Sequence, residues 1–187
     1  FLLQYGIEAE FYQSEYAQYW QDAMFDNREL AEFKPDIIFI HTTSRNLADF
    51  EFNMSLDKAD IDNMLQKQYH HFESMWEHLS EVYGCPVIQN NFELPYYRTL
   101  GNRECWDIHG RINFISRLNL MFYEYAAEHD SFYINDINFI SSAYGLDRWA
   151  EPKYWYMYKY ALSTHAIPDF SFNLSNIIKS IFGKNKK

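Results

Sequence analysis

Short apolar runs alternating with long amphipathic stretches constrain this chain more than any other feature. Residues 36–43 (DIIFIHTT) follow Pro35 and are apolar through their middle, the pattern of a strand buried on both faces. Residues 86–90 (PVIQN), entered from Gly84, and residues 131–137 (SFYINDI) read the same way. Residues 7–13 give a fourth candidate strand, with Ile7, Ala9 and Phe11 in rough alternation. Between these runs lie helical patterns. Residues 56–83 place Ile61, Leu65, Tyr69, Phe72, Trp76, Leu79 and Tyr83 at spacings of three and four, with Ser55 as N-cap and Gly84 as C-cap. Residues 104–129 carry Ile108, Ile112, Ile115, Leu118, Phe122 and Ala126 on one stripe. Residues 169–182 carry Phe172, Leu174, Ile177, Ile178 and Ile181 and close at Gly183. Strands separated by helices predict an α/β fold with a parallel sheet and helices on both faces. There is no internal repeat and no flexible linker, so residues 1–187 read as one domain.

In open parallel sheets, ligands sit beyond the carboxyl ends of the strands. Three loops are therefore candidates: residues 41–46, 90–102 and 138–155. The first presents His41, Thr42, Thr43, Ser44, Arg45 and Asn46, which suit a carboxylate, a phosphate or an oxyanion, or else cap the next turn. The second carries Asn90 and Asn91, whose amides could face an oxyanion or satisfy loop backbone, and Asn102 follows. The third runs through Trp149, Glu151, Trp155 and Lys159, an aromatic stretch that is either core or a platform for a substrate. His70, His71 and His78 lie on the long helical pattern without metal spacing and read as helix surface.

Charge narrows the partners. Lys plus Arg is 16 against 26 for Asp plus Glu, a formal charge of −10, which repels phosphate backbones and anionic membranes. Nucleic acid and membrane are not expected partners. Cys85 and Cys105 form no framework, and no run spans a bilayer, so a cytoplasmic location is expected. The chain starts at Phe1, where Phe1-Leu2-Leu3 reads as the end of a helix capped at Gly6. It ends in the basic run Gly183-Lys-Asn-Lys-Lys187, so further segments are expected on both sides.

Several short motifs occur in a familiar order. They are residues 87–95 (VIQNNFELP), Leu100-Gly101-Asn102, Leu118-Asn119, Asp136-Ile137, residues 144–149 (YGLDRW), Trp155-Tyr156, Lys159 and Leu162-Ser163. Together they resemble the N-terminal region of FkbH-like proteins, bacterial two-part proteins whose second part is a haloacid-dehalogenase (HAD) phosphatase-type domain of subfamily IIIC. The resemblance implies a flavodoxin-like three-layer α/β/α sandwich of the SGNH-hydrolase kind, with a five-stranded parallel sheet. The first strand and its nucleophilic Ser would then precede Phe1. It implies catalytic roles for Asn46 and Asn91 as oxyanion donors, and places His165 near the expected base. The Asp-x-x-His block is not matched: Glu151 is followed three residues on by Tyr154, and Leu162 stands three before His165. His41, Thr42, Thr43, Arg45, Asn90, Asn102, Glu151, Trp155 and Lys159 would bind substrate. No cofactor is implied in this domain, and Mg²⁺ belongs to the HAD domain. The implied function is part of a biosynthetic phosphatase or acyl/glyceryl transferase, in a polysaccharide or acyl-carrier-linked pathway. The HAD domain, an acyl carrier protein and a small acyl or phosphorylated substrate are the implied partners. The other reading is a non-catalytic docking module for the HAD domain.

Overall fold

The computed structural model describes residues 1–48 and 50–183. Its sheet has three parallel strands in the order β1 (Ile38–Ile40), β2 (Val87–Asn90) and β3 (Phe132–Asn135). Ile38 is opposite Val87, and Val87 is opposite Phe132. The three apolar runs read from sequence are thus strands, trimmed by one to three residues at their ends. The long connections are helical: α3 (Lys58–Tyr83) joins β1 to β2, and α4 (Arg111–Glu128) joins β2 to β3. Before β1 come α1 (Tyr19–Met24) and α2 (Arg28–Phe33). After β3 come α5 (Ile137–Tyr144), α6 (Leu146–Trp149), α7 (Pro152–Tyr158) and α8 (Ile167–Ile181).

Side-chain alternation along the strands separates two cores. On one face Ile38, Ile40, Val87, Phe132 and Ile134 meet Phe72, Met75, Trp76 and Leu79 of α3 and Ile115, Leu118 and Phe122 of α4. The aromatic content is concentrated here. The Trp76 ring lies 4.6 Å from both Phe122 and Phe132, and Phe72 lies 5.5 Å from Phe92. Each such fully buried side chain contributes about 1.5–3 kcal/mol relative to exposure. On the other face Phe39 joins Ile137, Ile140, Trp149, Leu162, Ala166, Phe170 and Leu174, bringing α5, α6 and α8 over the sheet. Helices on both faces of a parallel sheet make the three-layer, flavodoxin-like α/β/α arrangement.

Several boundaries differ from the sequence reading. Residues 7–13 are irregular rather than a strand, and Phe11 is 84% exposed. Alternating polarity alone gave that run no buried face. The N-cap of α3 is Asp57, not Ser55, because Asp57 and Asp60 close a reciprocal capping box. Gly84 caps α3 in the left-handed conformation with φ 61°, as its sequence position suggested. The second helical pattern is split: Gly101–Cys105 forms a 3₁₀ turn, and α4 starts only after Gly110. A Cβ on Gly110 would sit 2.3 Å from the Glu104 carbonyl oxygen, so the close approach of these two segments requires glycine. At the start of the chain, a 3₁₀ turn (Leu3–Tyr5) ends at a left-handed Gly6. The basic run 184–187, read as a lead into a further domain, lies outside the described residues. Among the described residues no helix is long and apolar enough to cross a membrane.

Candidate functional site at the carboxyl edge of the sheet

Parallel strands bring the segments after Ile40, Asn90 and Asn135 to one edge. Polar side chains there are buried, so each needs partners. The indole Nε1 of Trp76 donates to Gln89 Oε1 at 3.0 Å. Gln89 Nε2 then donates to Thr42 Oγ1 and to the Asn90 carbonyl, both at 2.7 Å. Asn90 Nδ2 donates to the Thr42 carbonyl at 3.0 Å and lies 2.9 Å from His41 Nδ1. Asn135 Nδ2 donates to Asn90 Oδ1, and Asn173 Nδ2 on α8 donates to Asn135 Oδ1, both at 2.7 Å. His41, Thr42 and Asn90 are thus brought together. The His41 imidazole keeps an exposed side, while Phe39 and Phe170 flank it at 6.0 and 5.3 Å. Desolvation by this packing lowers its pKa from the ordinary histidine value.

Asn91 faces a different set of groups. Its Nδ2 donates to Asp136 Oδ1 at 2.6 Å and to the Tyr123 hydroxyl at 2.7 Å, and its Oδ1 accepts from the Asn138 backbone N–H at 3.1 Å. It ties β2 to the start of α5 with every amide group engaged. Asn46 is engaged too: its Oδ1 accepts from the Thr43 N–H at 2.9 Å in a capping box around the 3₁₀ turn Ser44–Asn46. Thr43 is therefore a cap, and the Asn91 amide holds no donor aimed at open space.

The open part of the edge is built on Ser44. Glu93, only 7% exposed, accepts from the Ser44 N–H at 3.1 Å and from Ser44 Oγ at 2.8 Å. Burial raises the Glu93 pKa, while the Ser44 bonds and the nearby Arg45 charge pull it down. Arg111 of α4 donates from Nη2 to the Ser44 carbonyl at 2.7 Å, and its buried Nε has no partner. Burial lowers the Arg111 pKa, and the Glu93 charge opposes that shift. Arg45 turns outward and lies 4.4 Å over the half-buried Trp155 ring, with Lys159 5.4 Å from the same ring. Arg45 from the turn after β1, and Trp155 and Lys159 from α7 and its C-cap, therefore form one surface. Two cations, Arg45 and Arg111, act on the buried Glu93, and a third, Lys159, shares the Trp155 ring with Arg45, in a chain of net charge −10.

Other candidates lie apart from these contacts. Asn102 is exposed on its 3₁₀ turn, where its carbonyl accepts from Cys105 Sγ at 3.4 Å. Glu151 is the N-cap residue of α7, its carbonyl accepting from the N–H groups of Tyr154 and Trp155. His165 is exposed in the turn before α8. Of the aromatic stretch only Trp149 is core, at 1% exposure, and α7 buries no residue. His71 is more than helix surface: it stacks on Trp20 at 3.9 Å, fastening α1 to α3. Sequence reasoning did not single out Glu93, Arg111, Asn135 or Asn173 as site residues. The available signal was Glu93 itself, an acid flanked by Phe92 and Leu94 just past a buried strand. Among the described residues no three acidic, histidine or cysteine side chains gather as metal donors.

A family model described as the FkbH N-terminal domain matches residues 3–179. One solved structure superposes with a TM-score of 0.79 at 21% identity, covering 95% of this chain and 46% of the other. That structure is the N-terminal part of protein BF1531 from Bacteroides fragilis, described as containing a phosphatase domain and complexed with Mg. At this identity the likeness concerns the fold, and this chain spans about half the length of that relative. No curated protein matches the chain significantly.

Proposed function

We propose, from the premise that this chain belongs to the FkbH N-terminal domain family, that it is the substrate-holding part of a larger biosynthetic protein. That protein is a phosphatase or an acyl/glyceryl transferase with a HAD-type domain beside this one. The ligand held here is a small phosphorylated or carboxylated acid. The carrying observation is the cationic edge: Arg45 and Lys159 over Trp155, and Arg111 on the Ser44 carbonyl beside the Ser44–Glu93 clamp. Arginine forks match phosphate and carboxylate geometry, and Trp155 gives the ligand's carbon skeleton a flat wall. Glu93 holds the loop shape by accepting two bonds from Ser44. Arg111, anchored through Nη2 on the Ser44 carbonyl, lends its charge to the edge from behind that loop.

In this reading the bond-making chemistry and its Mg²⁺ belong to the companion domain, as the description of the Bacteroides relative suggests. Asn46 and Asn91 act as structural ties and His165 takes no part. An acyl carrier protein as acceptor, a polysaccharide or carrier-linked pathway and a cytoplasmic location complete the proposal. The test is calorimetric titration of the chain with phosphorylated glycerate. Saturable binding weakened about 10-fold or more by Arg45→Ala supports it, since a hydrogen bond to a charged group is worth about 1.5–3 kcal/mol. Absence of binding, or binding indifferent to that change, overturns it.

A second reading, docking of a partner domain, is favoured by one observation. Tyr156, Met157, Tyr158 and Tyr160 are 78, 57, 54 and 52% exposed along one short segment. It predicts that truncating these rings weakens association with the HAD domain and leaves ligand affinity unchanged.

A further inference from the structure

Two hydrogen-bond chains end at residues 41–42, and each starts from an atom whose role is fixed. The Thr42 carbonyl can only accept, so the Asn90 atom 3.0 Å away is the amide nitrogen. The other Asn90 atom is then the oxygen, and the Asn135 atom facing it at 2.7 Å must donate. Asn135 thus turns its oxygen to Asn173, whose Nδ2 donates at 2.7 Å. Asn90 has two N–H hydrogens. One goes to Thr42, and the other points at His41 Nδ1, 2.9 Å away. His41 Nδ1 must therefore accept. The second chain reinforces the first. The Trp76 indole can only donate, which fixes Gln89, and Gln89 donates to the Thr42 hydroxyl and the Asn90 carbonyl.

We propose that Asn90, fixed by the Thr42 carbonyl and backed by the Asn135–Asn173 relay, holds His41 as its neutral Nε2–H tautomer, making it a fixed hydrogen-bond donor at the carboxyl edge rather than a base. Among the described residues Nε2 has no partner, and the ring keeps an exposed side. The groups against the ring are Phe39 of β1, Asn90 of β2 and Phe170 of α8, none of them charged. Protonating Nδ1 would set an N–H against the Asn90 amide. Rotating Asn90 to relieve this would set its oxygen against the Thr42 carbonyl and its nitrogen against the Asn135 amide. The desolvated ring resists the charged form for the same structural reason. The class of group His41 serves is an acceptor oxygen, a carbonyl or a phosphoryl oxygen, of a ligand at this edge. Asn90, Asn135 and Asn173 are positioning residues that act through it.

This inference deepens the anion-binding reading of the same edge, but its test needs no ligand. Long-range ¹H–¹⁵N spectra of the chain at neutral pH report which ring nitrogen carries the proton. The expected result is an unprotonated Nδ1 and a protonated Nε2 for His41. A predominant Nδ1–H form, or a charged ring at neutral pH, overturns the proposal whether or not the edge binds anions. Asn90→Asp replaces the donor by an acceptor, and should move the proton to Nδ1 and raise the His41 pKa by about one unit or more. Should that buried change prevent folding, Asn90→Ala removes the N–H that faces Nδ1 without adding a buried charge. It should give a measurable Nδ1–H population. A folded Asn90→Asp protein with an unaltered tautomer contradicts the proposal, as does an unaltered Asn90→Ala spectrum.

Discussion

Gln89 is a polar side chain with no exposure, and it is tolerated because the Trp76 indole, the Thr42 hydroxyl and the Asn90 carbonyl satisfy it. Gln89→Leu keeps the volume but orphans the buried Trp76 N–H. It should lower stability by about 1–3 kcal/mol in urea unfolding. Glu93 shows the converse. Its folded pKa is raised, so ionisation works against the folded state: stability falls as pH rises from the ordinary carboxylate pKa through the raised one. Glu93→Gln keeps an acceptor for the Ser44 N–H and should flatten that limb of the stability–pH curve. Asp107 lies on the other side of the sign. The backbone N–H of His109 and then its ring hold the Asp107 pKa down to about 2, while the Leu56 carbonyl and Asp107 raise that of His109. The Asp107 contribution is present above the ordinary carboxylate pKa and lost as pH falls toward about 2. The His109 contribution is complete below the ordinary histidine value and lost as pH rises through the raised one. Asp107→Asn should bring the His109 pKa down in an NMR titration. The sequence located the right segment for many of these residues but not their engagement. Asn91 reads equally as an oxyanion donor or a loop tie until Asp136 and Asn138, 45 and 47 positions away, are brought against it.

At the scale of elements, burial decided what could be read. The three strands of the sheet are apolar over several consecutive residues, and that signal survives without knowledge of the fold. Residues 7–13 alternate, but Glu8 and Glu10 are exposed together with Phe11, so no face is buried. The α3 stripe was legible because Ile61, Leu65, Phe72, Trp76 and Leu79 all face the core. The split before α4 was not, because it depends on how closely Gly110 approaches the Glu104 carbonyl. Gly110→Ala should force the two segments apart and cost about 1–3 kcal/mol, read as a lowered midpoint in thermal or urea unfolding. A full-stability Gly110→Ala protein would show that the junction can give way freely.

At the scale of the whole molecule, the sequence named the edge where the loops meet, because parallel strands leave no alternative. It could not show that the edge is divided into a closed amide network beside β3 and a cationic surface beside β1. Arg111 comes from a helix more than 60 residues after Ser44, and its part depends on tertiary contact alone. A consequence is that the isolated chain should turn over small activated esters weakly or not at all. The Asn91 amide donor is committed to the fold, and Ser44 is paired with a carboxylate rather than an imidazole. Robust turnover abolished by a serine-directed reagent would instead make Ser44 the nucleophile. The central claim, that the cationic edge holds a small anionic acid, is tested most directly by titrating ¹⁵N-labelled chain with phosphorylated glycerate. The account predicts saturable shifts confined to residues 41–46, Glu93, Arg111 and the Trp155–Lys159 segment, and their loss in Arg45→Ala. Saturable shifts elsewhere on the molecule, or none at this edge, would contradict it.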